Sequence, residues 1–216
     1  MAKACRYAIE MAVGEEVRNA LDHWSAGRWQ EALRHACEAA DETARKRYQS
    51  LGVAARFKQT LRDDVDIFSA MTAPDIDLVS SRFPVPVQTD QLDGRPDIAD
   101  VIFGVHRYLS GHENEFPAGC EVVPHSDRES MFHISRGRLR LRASAALGLV
   151  AIAVFAPENR GEVIPGSYQL AWQQHVFHIV GWWGWEAHFR EIVRNAGIAR
   201  SRLDFDTEWD NWTPWV

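Results

Sequence analysis

Apolar residues recur along this chain at intervals of three and four, the spacing that lines one face of an α-helix. Ile9, Val13, Val17, Ala20, Leu21 and Trp24 form a first stripe, ended by Ser25-Ala26-Gly27. Trp29, Ala32, Leu33, Ala36, Cys37, Ala40 and Ala44 form a second, and the short break between the two predicts an antiparallel helical hairpin. Phe57, Leu61, Val65, Phe68 and Met71 continue the pattern in a third helix. Residues 72–96 carry Pro74, Pro84, Pro86, Gly94 and Pro96, which predicts an unusually long irregular connection. Asp97 is placed to start a fourth helix, on which Ile98, Val101, Ile102, Val105 and Leu109 share a face.

Beyond His112 the chain reads as loop to about Ser135, with Pro117, Gly119 and Pro124. Gly137 to Phe155 is apolar on all sides once past its arginines and suits a helix at the centre of a bundle. Within it, Arg138-Leu139-Arg140-Leu141-Arg142 alternates as a strand does. Pro157 stops that segment, and further helices are expected around Tyr168–Val180 and Trp185–Ala196, separated by Gly181-Trp182-Trp183-Gly184. The pattern predicts an all-α fold: a helical bundle over residues 1–160, and a Trp-rich helical extension over 161–216 packed on it. No internal repeat is present. The tail over 203–216 has four acidic residues, three Trp and no basic residue.

Composition narrows the possibilities. A chain of 216 residues that is 46% hydrophobic, with nine Trp, can bury a substantial core. Its net charge of −6 argues against a uniformly basic nucleic-acid binder, so any nucleic acid has to meet a local basic patch. Nine acidic residues from Asp63 to Asp100 face only Arg82 and Arg95 in sequence, which predicts a negative side. Cys5, Cys37 and Cys120 form no Cys-x-x-Cys pair, which fits a reducing compartment. The start of the chain lacks the apolar core of a signal peptide, and the longest apolar run, Ala143–Ala156, is too short to span a bilayer. A cytoplasmic protein without a membrane partner is expected. Gly-rich phosphate loops and Gly-x-Ser-x-Gly are absent, leaving P-loop, dinucleotide and α/β-hydrolase chemistry unsupported.

Arg107 and His112 stand five residues apart across a predicted helix end. In an unbroken helix such side chains diverge by about 140°, but Ser110-Gly111 offers a stop after which the chain can turn back. A permanent cation beside a group titrating near neutrality is suited to phosphodiester chemistry. Arg18/His23, Arg28/His35 and Arg128/His133 have similar spacings, and of these pairs only Arg107/His112 is predicted to straddle a helix stop. Phe103 falls near Arg107 on the side away from Ile98, so an apolar surface covered by a second subunit is expected there.

Arg136, Arg138, Arg140 and Arg142 form a basic cluster. If it begins a helix, the dipole disfavours it there, and either carboxylates such as Asp63, Asp64 and Asp66 or a bound phosphate backbone must compensate. His175, His178 and His188 offer a possible metal set, the first two at helical spacing, yet they lie among Trp172, Phe177, Trp182, Trp183 and Trp185, where a packing role is the simpler reading. No metal or cofactor is expected. Glu38, with Asp41 and Glu42, reads as the wet face of the second helix, and Glu38 is a candidate acid or orienting group for a nearby site.

The run Ala20-Leu21-Asp22-His23-Trp24-Ser25-Ala26-Gly27-Arg28-Trp29-Gln30-Glu31-Ala32-Leu33, continued by Ala36-Cys37-Glu38-Ala39-Ala40, resembles the opening helical hairpin of the HEPN superfamily (higher eukaryotes and prokaryotes nucleotide-binding). Arg107-Tyr108-Leu109-Ser110-Gly111-His112 resembles that family's Arg-x4-6-His motif, and Leu147–Asn159 its closing helix. The likeness covers roughly residues 10–160. It implies a metal-independent ribonuclease working as a homodimer. Arg107 is then expected to hold the scissile phosphate, and His112 to exchange protons with the 2′-hydroxyl or the leaving 5′-oxygen, giving 2′,3′-cyclic phosphate ends. Arg136–Arg142 are the expected RNA contacts. Toxin and phage-defence roles are common in the family, which implies a neutralising antitoxin partner. The rival reading is a non-catalytic HEPN-like dimerisation or nucleotide-binding module, to which Tyr108 points, since catalytic members often carry Asn, Asp or His after the motif Arg.

Overall fold

The computed structural model describes residues 12–111, 120–124, 132–135 and 138–212. Helices α1 (Ala12–Ser25) and α2 (Trp29–Arg47) form the expected hairpin, turning at Gly27, whose φ of +69° suits glycine. The third predicted helix is two, α3 (Val53–Asp63) and α4 (Val65–Thr72), broken at Asp64. Helix α5 (Ile98–Leu109) starts at Asp97 in a capping box: Asp97 accepts from the Asp100 amide, and Asp100 accepts in return from the Asp97 amide.

The next segment departs from the all-α expectation. Strands β1 (Cys120–Val123), β2 (Phe132–Ser135) and β3 (Arg138–Arg142) form a sheet of order β1-β3-β2, with β1 parallel and β2 antiparallel to β3. The Arg-Leu alternation belongs to strand β3, with Leu139 and Leu141 buried and Arg138 and Arg140 exposed. Helix α6 begins only at Ala145 and runs to Phe155. The predicted helix over Tyr168–Val180 is instead a β-hairpin of β4 (Gln169–Trp172) and β5 (His175–His178). Leu170, Trp172 and Phe177 are its buried residues, a period-two pattern. His175 and His178 lie three apart on a strand, on opposite faces, so their helical spacing for a shared metal is withdrawn. Helix α7 (Glu186–Ala196) is the last described α-helix, and a 3-10 helix follows at Asp206–Asn211.

Helix α6 is buried almost all round, from Ala145 through Leu149, Val150, Ile152 and Val154 to Phe155. It packs against α2 and α4, with α1 also in reach. At Gly148 α4 comes close: a Cβ placed there meets Thr72 at 2.6 Å and Phe68 at 2.7 Å. Phe155 stacks on Phe189 of α7 and meets Phe177 and Trp182 edge-on, so the aromatic C-terminal segment joins the core that starts at Val13. Residues 73–96 contain no helix or strand, as expected, and an isolated bridge pairs Ile76 with Ser201.

The predicted negative side is largely neutralised from within. Arg47 and Arg190 converge on Asp64 at 2.7 and 2.9 Å, and also hold Glu158, Glu186 and Asp66. Asp63, Asp64 and Asp66 are candidates in sequence to answer the arginines of β3, the alternative being a bound phosphate backbone. Asp64 and Asp66 are engaged by Arg47 and Arg190 instead, while Asp63 accepts from Tyr48 and Gln59.

Two outcomes are expected. Gly148→Ala should destabilise the fold by about 1–3 kcal/mol, read as a lower urea midpoint with an unchanged slope. Burial pushes the Asp64 carboxyl up to about 6, against the pull of Arg47 and with the repulsion of Glu186. A carboxyl whose folded pKa lies above its unfolded one contributes most to stability below the unfolded value, and that contribution fades as pH rises through the folded one. Between about pH 4 and about pH 6 the wild type should therefore lose on the order of 2–3 kcal/mol relative to Asp64→Asn, in denaturation curves measured across that range.

Candidate functional site

Two charged networks anchor the N-terminal turn of α5. Arg62 of α3 donates to Asp97 at 2.7 Å and to Asp90 at 2.5 Å, tying the α5 cap to α3 and to the connection. Lys58, one turn earlier and buried, pairs with Asp100 at 2.6 Å and donates to the Gln88 carbonyl at 3.2 Å. Its ammonium also lies 5.7 Å from the centre of the Phe103 ring. A buried lysine with a carboxylate, a carbonyl and an aromatic face is held far more firmly than an exposed one.

Between these supports opens a cleft of about 380 Å³, lined by Val53 and Ala54 at the start of α3, Gln88 of the connection, and Phe103, His106 and Arg107 of α5. Such a volume lies within the range of small-ligand sites. Arg107 is half-buried at the cleft wall. His106 is 5% exposed, and its ring stacks on Phe57 with centroids 4.9 Å apart and planes 10° apart. The His106 Nδ1 lies 3.1 Å from Ser110 Oγ, which donates to Glu38 Oε1 at 2.8 Å. A hydroxyl has one proton, and here it goes to the carboxylate. Nδ1 must then be a protonated nitrogen that donates to Ser110. The relay fixes the orientation of an imidazole next to a guanidinium.

The helix stop is where the sequence placed it: α5 ends at Leu109, Ser110 is its C-cap, and Gly111 has φ +72°. His112 lies outside the described residues, as does Arg136. Glu38 joins the site, bonding to Ser110 rather than facing solvent alone. Phe103 does not form the exposed surface expected of a subunit interface. It is 8% exposed and is covered by the chain's own Phe57 and Lys58. Helix α5 is apolar on more than one side, so α3 packs over the face that a wheel centred on Ile98 leaves outward. Arg142 is likewise no surface cation, being 7% exposed and donating to the Pro124 carbonyl at 3.0 Å. Arg138 and Arg140 do present an exposed basic edge, with Arg140 3.4 Å from Glu121 on the neighbouring strand. Strand β1 of that sheet approaches α2, the helix that carries Glu38.

Sequence reasoning missed His106 and Lys58. His106 follows Ile102 by one turn and precedes Ser110 by one, so a polar ring on the buried face within reach of a hydroxyl was the available signal. The partner of Lys58 lies 42 residues away in sequence, at Asp100, and local spacing carries no trace of it. His188 stacks on Trp182 at 5.5 Å and lies 3.6 Å from Glu191, a setting of packing and surface pairing. No group of three metal-ligating side chains occurs among the described residues.

A family model named Rv1289 matches residues 12–209. The chain is 50% identical over 206 residues to the uncharacterized protein Rv1289 of Mycobacterium tuberculosis, an alignment covering 94% of this chain and 98% of that protein. The uncharacterized protein Mb1320 of Mycobacterium bovis matches with the same identity and coverage. No solved structure matches.

The relay predicts a spectroscopic outcome. In the wild type the ¹⁵N shifts of His106 should report the Nδ1–H tautomer, and Ser110→Ala should move the population toward Nε2–H. Stability should fall by only about 1 kcal/mol. An unchanged tautomer in Ser110→Ala removes the relay from the site.

Proposed function

We infer that this chain, which belongs to the Rv1289 family, is a metal-independent RNA endonuclease whose site is the Arg107 cleft. The observation that carries this reading is the placement of a guanidinium and an oriented imidazole on consecutive residues of α5, at one open cleft. Arg107 holds the scissile phosphodiester and stabilises the charge that develops on it. His106 takes the proton of the 2′-hydroxyl, whose oxygen attacks phosphorus. The bond to the 5′-oxygen breaks, and His112 returns a proton to that leaving group. The products are a 2′,3′-cyclic phosphate and a 5′-hydroxyl. Glu38 acts through Ser110 as a positioning residue, and Arg138 and Arg140 supply basic contacts to the RNA.

The HEPN resemblance extends the proposal to a homodimer in the cytoplasm, with a toxin or phage-defence role and a neutralising antitoxin protein. These parts rest on that resemblance. Among the described residues no helix is long and apolar enough to cross a membrane.

A nucleotide-binding module is the second reading. Phe103 and His106 give the cleft a ring-lined wall beside Val53 and Ala54, and a base can lie against such a wall without being cut.

Incubation of mixed RNAs with the folded protein in EDTA separates the two. The nuclease should leave cyclic-phosphate ends, with Arg107→Ala about 10²–10³-fold slower. His106→Gln and His112→Ala should each be slowed about 10²–10⁴-fold. Intact RNA throughout, or variants as fast as wild type, sinks the nuclease. Nucleotide binding that Arg107→Ala abolishes would then establish the module.

A further inference from the structure

The α1–α2 hairpin carries a second arginine–histidine constellation, unconnected with the cleft. His23 lies near the end of α1 and Arg28 just past Gly27, so the pair straddles a helix stop, and the two do meet: Arg28 Nε donates to His23 Nδ1 at 2.7 Å. The His23 ring stacks on His35 of α2, with centroids 5.1 Å apart and planes 15° apart. His35 is bonded at both nitrogens, to Arg34 Nη2 at 2.7 Å and to Glu16 Oε2 at 2.6 Å.

The chemistry of these bonds is unusual for this chain. A guanidinium has donors only, so the nitrogen it meets on each ring must offer a lone pair, and both imidazoles are neutral in this arrangement. Arg45, Arg47, Arg56, Arg62, Arg82 and Arg190 all hold carboxylates. Arg28 and Arg34 hold imidazoles, and among the described residues neither forms an ion pair with a carboxylate. Hydrogen bonds from guanidinium to an oxyanion are shorter and stronger than those to a neutral acceptor, and a phosphate matches the planar fork. The site is also accessible: Arg28 is exposed, and His23, Arg34 and the edge-on pair Trp24 and Trp29 are half-buried.

We propose that this hairpin binds a phosphate oxyanion, held by Arg28 and Arg34 over the stacked His23 and His35. The phosphate belongs either to a free phosphate ester or to a nucleic-acid backbone. When it arrives, Arg28 turns from His23 to the oxyanion, and His23 takes up a proton from solvent and becomes a third donor. In the ligand-free protein the pKa of His23 is lowered by burial, then by Arg28, His35 and Arg34, against the opposing pull of Glu31. Glu16 faces the stack from α1 through His35. An oxyanion between the arginines reverses the balance at His23. Binding therefore consumes a proton and tightens as pH falls from about 8 to about 6.

Calorimetric titration tests this with two probes: inorganic phosphate, and a short 2′-O-methyl oligouridylate, which lacks the hydroxyl needed for cleavage. Each is run at pH 6 and pH 8, in buffers of different ionisation enthalpy so that proton uptake is counted. Arg28→Ala and Arg34→Ala, both away from the core, should each weaken binding about tenfold or more. His23→Gln should keep binding but lose the protein's share of proton uptake, the remainder being the titration of the probe itself. Binding of inorganic phosphate assigns a free phosphate ester, and binding of the oligonucleotide alone assigns a backbone. The proposal is overturned if neither probe binds, if both arginine variants bind as wild type does, or if His23→Gln takes up as many protons as wild type. RNA cleavage at the Arg107 cleft is not needed for any of these outcomes, so the two sites stand or fall separately.

Discussion

Helix α6 has no polar face, and that single constraint organises the molecule. A helix that is apolar all round is stable only when other elements surround it. Helices α2 and α4 cover two of its sides, α1 reaches it, and the aromatic segment beyond Trp172 closes on Phe155. Each fully buried Val, Leu or Ile contributes about 1.5–3 kcal/mol, so the sum along α6 is a large part of the drive to fold. The tight approach at Gly148 shows how closely the surrounding layer is drawn in.

Around that core, charge does the locating. Lys58 and Arg62 fasten α5 to α3 and to the connection, and Arg47 and Arg190 gather four carboxylates where α2, α4 and α7 come together. Such pairs are poor sources of net stability, because removing charges from water offsets most of their attraction. They are good at fixing register, since a misplaced element leaves a buried charge without its partner. The cleft is a product of this: its walls come from three segments, and Lys58 touches all of them or their immediate neighbours.

Features with a local cause were legible in the sequence. The α1–α2 hairpin and α5 follow from the helical period and from punctuation by Gly27, Asp97 and Gly111. The β4–β5 hairpin was not, because strands of four residues contain too few positions to separate a period of two from one of 3.6. Arg138–Arg142 is longer, and there the alternation was visible. At the site, Arg107 and Glu38 were reachable from spacing and from their polar positions. His106 escaped because it sits among apolar neighbours on a helix, and Phe103 was misjudged because its cover comes from α3, distant in sequence.

The isolated bridge between Ile76 and Ser201 has company further along the same two segments. Leu203 donates its amide to Ser81, and the Trp212 indole donates to the Val85 carbonyl at 3.1 Å, three residues before Gln88 of the cleft wall. The connection is thus laced to a stretch more than a hundred residues downstream. A chain emerging from the ribosome can assemble its helical hairpin early, yet this lacing has no counterpart to grip until residues 201–212 have appeared. One wall of the cleft is therefore secured only once a stretch made more than a hundred residues later has emerged.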